Sequence, residues 1–284
     1  MSGGPPDTAA PVPYSRRVDR HATHGAAEPR TAPLVEAEAP RWDAFDPDAY
    51  VRQNYLRLHP ADAAILRAGR DHLCRHFGRH GLPAPLTGID VGTGANLYPT
   101  LMLLPWCKEI TLLDFAENNV AWLRNTLHRD QSYGANWDPF WDVLRDRSPY
   151  AEITDPRGHL RGSTRMETGD VFELPEARWD IGTMFFTAES ITASVTVFQE
   201  AVRCFVRSLL PGAPFAAAFM AESRACYYVG RERYPSCDVD EHTVAAAFGP
   251  YAEGLRIRRF RQGHALRDGY EGMILACGRR RATR

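Results

Sequence analysis

No apolar run in this sequence reaches the length of a membrane span, and its first residues lack the apolar core of a signal peptide. A cytoplasmic protein with no membrane partner is expected. Charge of one sign is scarce too: 34 Lys and Arg face 35 Asp and Glu, a formal net charge of -1. Without a broad basic field, nucleic acid is not an expected partner. The six cysteines (Cys74, Cys107, Cys204, Cys226, Cys237 and Cys277) form no CxxC pair and no ligand-like spacing with histidine. They read as reduced thiols, and no metal is expected. A monomer is the expected state.

What is present is 44% hydrophobic content in 284 residues, enough for one large α/β domain. The domain is organised around Leu86 to Asn119. Ile89-Asp90-Val91 ends an apolar strand, Gly92-Thr93-Gly94 turns, an apolar stretch from Leu97 to Leu104 reads as a helix, and Ile110 to Leu113 forms a second strand ending in Asp114. Strand, glycine turn, helix, strand and acid is the pattern of a half-Rossmann unit, with the ligand beyond the carboxyl ends of the strands. The glycines allow close backbone approach to that ligand, and Asp114 can accept from ribose hydroxyls. A third glycine, which a dinucleotide's pyrophosphate would need, is replaced by Leu97, and no GK[ST] ending marks a phosphate loop. A phosphate-free nucleoside, S-adenosylmethionine (SAM), fits better than NAD(P). Packing alone would not need acids at both strand tips.

Residues 1–40 are rich in Pro, Ala, Gly and charge, and read as a disordered tail ahead of a domain spanning 41–284. Asp46-Pro47 starts a capped helix in a helical lid over 41–80, and Ala61 to Phe77 has helical spacing. Ala116 to Leu127 is the next expected helix. The segment 128–165, with Trp137, Phe140 and Trp141, is long for a connection and is expected to lie over the site. Thr164–Thr168, Trp179–Phe186 and Phe215–Met220 read as strands, Val195–Leu210 and Asp240–Phe248 as helices, and Glu222–Gly230 as a site loop. Leu255–Gln262 and Gly272–Cys277 close the count at seven strands, the last two an antiparallel pair. The expected fold is therefore α/β: a Rossmann-like, mostly parallel seven-stranded sheet with an antiparallel edge strand and helices on both faces.

From about Trp42 onward the chain resembles the nicotinamide, phenylethanolamine and thioether methyltransferase family. The resemblance rests on FDPDAYVRQNY (45–55), DVGTGANLY (90–98), KEITLLDFAENN (108–119), the tryptophan segment 137–141, Asp170-Val171, LLPG (209–212) and CYYVG (226–230). It implies SAM contacts at Tyr50, Tyr55, Gly92, Thr93, Gly94, Tyr98, Asp114, Asn119, Asp170 and Val171. Asp90 and Phe115, flanking the turn and the second strand tip, join that set. The resemblance also implies an acceptor pocket lined by Tyr50, Tyr227, Tyr228 and Ser236, to which Phe186 at the fourth strand end is added. The nicotinamide enzyme ends its fifth strand with an aspartate, whereas this chain reads Met220-Ala221-Glu222-Ser223, and Ala225 stands where that enzyme has a serine. Nicotinamide is therefore a poor fit as acceptor.

Methyl transfer from a sulfonium needs neither a protein nucleophile nor a metal. It needs the acceptor, methyl and sulfur in line in a dry, aromatic site. Glu189 or Glu222 is the expected residue to orient the acceptor or take its proton, with Tyr55 beside them. The leading expectation is a SAM-dependent methyltransferase acting on a small amine or heteroaromatic nitrogen. The alternatives are transfer to an alkene carbon, such as that of a prenyl diphosphate, transfer to sulfur, and a catalytically silent SAM-binding protein.

Overall fold

The computed structural model describes residues 40–82, 85–129, 134–221, 226–260 and 272–282. The tail before residue 40, Glu222 and Ala225 lie outside them. In chain order the elements are α1 (Pro47–Asn54), α2 (Pro60–His80), β1 (Leu86–Val91), α3 (Tyr98–Leu101), β2 (Cys107–Asp114) and α4 (Glu117–Arg124). Next come α5 (Asp138–Arg145), α6 (Pro156–Ser163), β3 (Thr164–Thr168), β4 (Ile181–Phe185), α7 (Val195–Ser208) and β5 (Pro214–Ala221). Then follow β6 (Cys226–Val229), β7 (Glu232–Pro235), α8 (Glu241–Phe248), β8 (Ala252–Phe260) and β9 (Gly272–Arg280).

Local chemistry sets these boundaries. Asp46 accepts from Ala49 N at 2.8 Å and Pro47 supplies a pre-set φ at the start of α1. Ser194 and Asp240 cap α7 and α8 in the same way. The stretch from Leu97 to Leu104, expected to be a helix, is regular only over the four residues of α3 and then breaks into turns ahead of Pro105. Proline has no N–H to continue a helical ladder.

The main sheet has the order β3-β2-β1-β4-β5-β9-β8, and β9 runs against its neighbours on both sides. Chain order reverses between β1 and β4, so the carboxyl ends of these parallel strands open a crevice at the switch point. One core cluster gathers α2, α3 and the 137–160 segment on one face of the sheet, and the other gathers α7 and α8 on the opposite face. Residues 226–235, expected to be mostly loop, form a separate antiparallel hairpin, β6–β7. Gly230 takes its left-handed turn at φ 60°, where a Cβ would be strained.

Candidate active site

The glycine turn and the tip of β2 are built as one unit. Asp114 Oδ2 accepts from Gly94 N at 2.8 Å, while its Oδ1 accepts from Ala116 N at 2.9 Å and Asn119 Nδ2 at 3.0 Å. Burial raises the Asp114 pKa, opposed by those three hydrogen bonds. Gly92 holds φ 66°, and a Cβ there would fall 2.3 Å from Thr187 Oγ1, so only glycine fits between β1 and the end of β4. The Thr187 hydroxyl lies 3.1 Å from Val91 O and bridges the two strand ends.

These groups form one wall of a cavity of about 700 Å³. Twelve of the residues expected at the site line it: Tyr50, Gly92, Thr93, Gly94, Asp114, Phe115, Asn119, Asp170, Val171, Phe186, Tyr227 and Tyr228. The Asp170 side chain caps the turn that follows β3, accepting from Phe172 N at 2.9 Å. Phe115, 57% exposed, stands beside Asp114 at the cavity wall. Phe186 takes the left-handed backbone at φ 56°, an uncommon state for a bulky residue and one that clusters at functional sites.

Five expected residues lie behind the wall instead. Asp90 is buried, and its carboxylate accepts from Thr100 Oγ1 at 2.6 Å and Thr183 Oγ1 at 2.7 Å. Burial pushes its pKa up to about 7, against the pull of these hydroxyls. Two hydroxyl donors therefore engage this carboxylate inside the fold. Tyr98 is fully buried and donates to Asp62 Oδ1 at 3.2 Å. Tyr55 is also fully buried, its hydroxyl 3.3 Å from that of Tyr50. Glu189 is fully buried, and its Oε1 accepts from Met220 N at 3.0 Å, so it touches the cavity through the backbone of a residue that lines it. Ser236 is buried next to Cys237, whose N donates to Glu189 O at 2.7 Å. Trp137 and Phe140 pack against Tyr55 with ring centroids 5.5 and 6.4 Å away, one layer behind the cavity. None of the described residues of 134–163 lines it.

The lid and the hairpin meet over the opposite side. Trp42 and Phe45 lie 5.0 and 5.3 Å from the Tyr234 ring, and Tyr234 donates its hydroxyl to Arg41 O at 3.3 Å. Trp122 Nε1 donates to Asp48 Oδ1 at 2.8 Å, tying α1 to α4. Sequence pattern passed over several lining residues: Trp42, Phe45, Asn54, Asn96, Thr187 and Met220. The adjacency of Asn54 to Tyr55 and of Asn96 to the glycine turn was the available signal. Among the described residues, no group of three or more His, Cys, Asp or Glu is placed to hold a metal ion.

A mostly parallel sheet with a crevice at its switch point, a glycine turn and an acid at the β2 tip is the Rossmann-like architecture of a nucleoside-binding enzyme, and the family match makes it that of a methyltransferase. Residues 35–273 match the NNMT/PNMT/TEMT family, and the chain belongs to that family. Human nicotinamide N-methyltransferase is 23% identical over 215 residues, covering 72% of this chain and 80% of that protein. Human phenylethanolamine N-methyltransferase is 24% identical over 276 residues, covering 86% and 89%. Among solved structures, the N-methyltransferase NodS from Bradyrhizobium japonicum WM9 aligns with TM-score 0.47 and 14% identity over 78% of this chain and 98% of that one. The cofactor is SAM, and the reaction class is methyl transfer to a small molecule.

Proposed function

We propose that this protein methylates a nitrogen of a small amine or heteroaromatic acceptor, with SAM and acceptor sharing the cavity at the ends of β1, β2 and β4. The observation that carries the reading is Asp114 at the cavity wall, locked by Gly94 N, Ala116 N and Asn119 Nδ2. Buried Asn119 Oδ1 has no hydrogen-bond partner among the described residues and suits a ribose hydroxyl beside that carboxylate. Gly92, Thr93 and Gly94 give backbone access to the cofactor. Phe115, Asp170 and Val171 suit the adenine end, Phe115 by stacking and Asp170 as an acceptor for the amino group.

SAM supplies a methyl on an already activated sulfonium. The chain's own task is then to hold the acceptor in line and keep water out. Such orientation is worth about 7–11 kcal/mol in favourable intramolecular cases. Tyr50, Phe186, Tyr227 and Tyr228 suit the acceptor side, since aromatic faces stabilise positive charge. Tyr55 supports Tyr50 from behind. Glu189, through its bond to Met220 N, positions the end of β5, and Glu222, two residues beyond Met220, remains the side chain proposed to orient the acceptor or take its proton.

Incubation with methyl-labelled SAM and a panel of amines, heteroaromatic bases, thiols and prenyl diphosphates tests the reading. Label transferred to a nitrogen is the expected result. Label appearing solely on thiols or alkenes overturns the choice of atom, and tight SAM binding without turnover on any of them favours a silent binder.

A further inference from the structure

Strand β8 closes the sheet on one side. It pairs with β9, and among the described residues no strand pairs with its other edge. After a bulge between Glu253 and Arg256 the ladder is regular from Arg256 to Phe260. An edge of this kind leaves a row of N–H and C=O groups open, a template for one more strand. Side chains along the run alternate between two faces. Arg256 stands opposite Cys277 and Arg258 opposite Leu275, on the face that packs on α2. Leu255 and Ile257 lie half-buried on the face that packs on α7 and α8.

The α2 side of this edge is basic. His72, Arg75, His76 and Arg79 follow at i, i+3, i+4 and i+7, one stripe of α2. His72 is tied to β9, its Nε2 3.1 Å from Gly278 O. Burial lowers the His72 pKa to about 4, and the charges of Arg75 and Arg256 push the same way, so helix stripe and strand row share one field. Arg75, Arg79, Arg256 and Arg258 are exposed and make no ion pair among the described residues. Glu253, the one acid of β8, lies 3.1 Å from Arg279, and Arg259 on the opposite face meets Glu241 at 3.3 Å. The Arg258 guanidinium lies 4.7 Å over the Phe260 ring, which holds it along the edge.

We propose that the outer edge of β8 docks an extended acidic segment of another protein. The segment adds a strand, with acidic side chains opposite Arg256 and Arg258 and apolar ones beside Leu255 and Ile257. Charge complementarity chooses this occupant, because opposite charges across a strand pair stabilise it. A second copy of β8 would set arginine against arginine, which like-charge repulsion disfavours. A nucleic acid or an anionic lipid would meet the arginines and leave the open backbone row unpaired. Neither β8 nor the α2 stripe lines the cavity, so this surface is separate from the methyl-transfer site.

Fluorescence anisotropy of a labelled peptide of alternating Glu and Val, nine residues to match β8, titrated with the full chain tests the proposal. Saturable binding that weakens with added salt is expected. Arg256→Ala and Arg258→Ala should each weaken it about two- to fivefold. The double variant Arg256→Glu/Arg258→Glu should lose the Glu–Val peptide and bind an alternating Lys–Val peptide instead, with an unchanged melting temperature, since both side chains are exposed. A peptide N-methylated at each valine cannot complete the ladder and should not bind. No binding up to about millimolar peptide overturns the proposal. Equal binding of the N-methylated peptide, or of a peptide of the same composition with its glutamates clustered, also overturns it. So does a single-stranded RNA oligomer or an anionic vesicle that binds in the peptide's place and is lost in the double variant.

Discussion

Asp114 Oδ2 accepts from Gly94 N at 2.8 Å, so the acid at the tip of β2 and the second glycine of the turn after β1 are a single element of the site. Neither strand presents its ligand-facing group alone. The carboxylate rigidifies the turn, the turn fixes the carboxylate, and the cavity lies against both.

That coupling makes Gly92 sensitive. An alanine there meets Thr187 Oγ1 at 2.3 Å and must hold φ 66°. Gly92→Ala should lower stability by about 1–3 kcal/mol, the range for a backbone held in a sparsely populated region, and weaken SAM binding with it. Thermal melts and titration of the same preparation check this. An unchanged melting temperature would show that the turn has room the geometry denies.

Asp90 carries a pH signature. Its folded pKa of about 7 lies above the value of about 3.9 for an unfolded chain, so the native state holds this proton more tightly. Its contribution is fully present below about pH 4 and is lost as pH rises through about 7. Asp114, raised by burial, acts in the same direction. Denaturant midpoints between pH 4 and 8 should fall less steeply for Asp90→Asn than for wild type. Parallel curves would contradict the assignment.

Tyr234 pins the lid through ring contacts to Trp42 and Phe45. At about 0.5–1.5 kcal/mol per aromatic pair, Tyr234→Ala should cost the lid about 1–3 kcal/mol of anchorage while the sheet stays folded. Faster proteolysis near residue 41, a red-shifted Trp42 emission and a raised KM are the expected readouts. A variant with wild-type proteolysis would place the lid's anchorage elsewhere.

Glu189 distinguishes support from proton transfer. Glutamine keeps an acceptor oxygen for Met220 N, whereas alanine removes it. Glu189→Gln should therefore retain most of kcat and Glu189→Ala should lose about tenfold or more, with a stability cost of about 1–3 kcal/mol. Equal, near-complete loss in both variants would instead assign Glu189 the proton.

Much of this was legible before any coordinates. The Ile89 and Ile110 runs, the turn at 92–94, the Asp46-Pro47 cap and the apolar stripe from Phe198 to Leu209 are local signals, and each produced the element it implied. The hairpin at 226–235 was missed although Val229-Gly230-Arg231-Glu232 is a two-residue turn between alternating residues, because its strands are short and lie outside the main sheet. Asp90 looked like Asp114 in sequence. Only packing shows one carboxylate turned inward to Thr100 and Thr183 and the other at the cavity wall. Asn54 and Asn96 carried no periodic signal at all.

The most direct measurement is calorimetric titration of SAM into wild type and Asp114→Ala, with NAD as a parallel ligand. Wild type should bind SAM and not NAD, and the variant should lose about tenfold to a hundredfold in SAM affinity, the cost of leaving paired polar groups unmet. Equal SAM affinity in the two proteins, or tight NAD binding by wild type without SAM binding, would contradict the account.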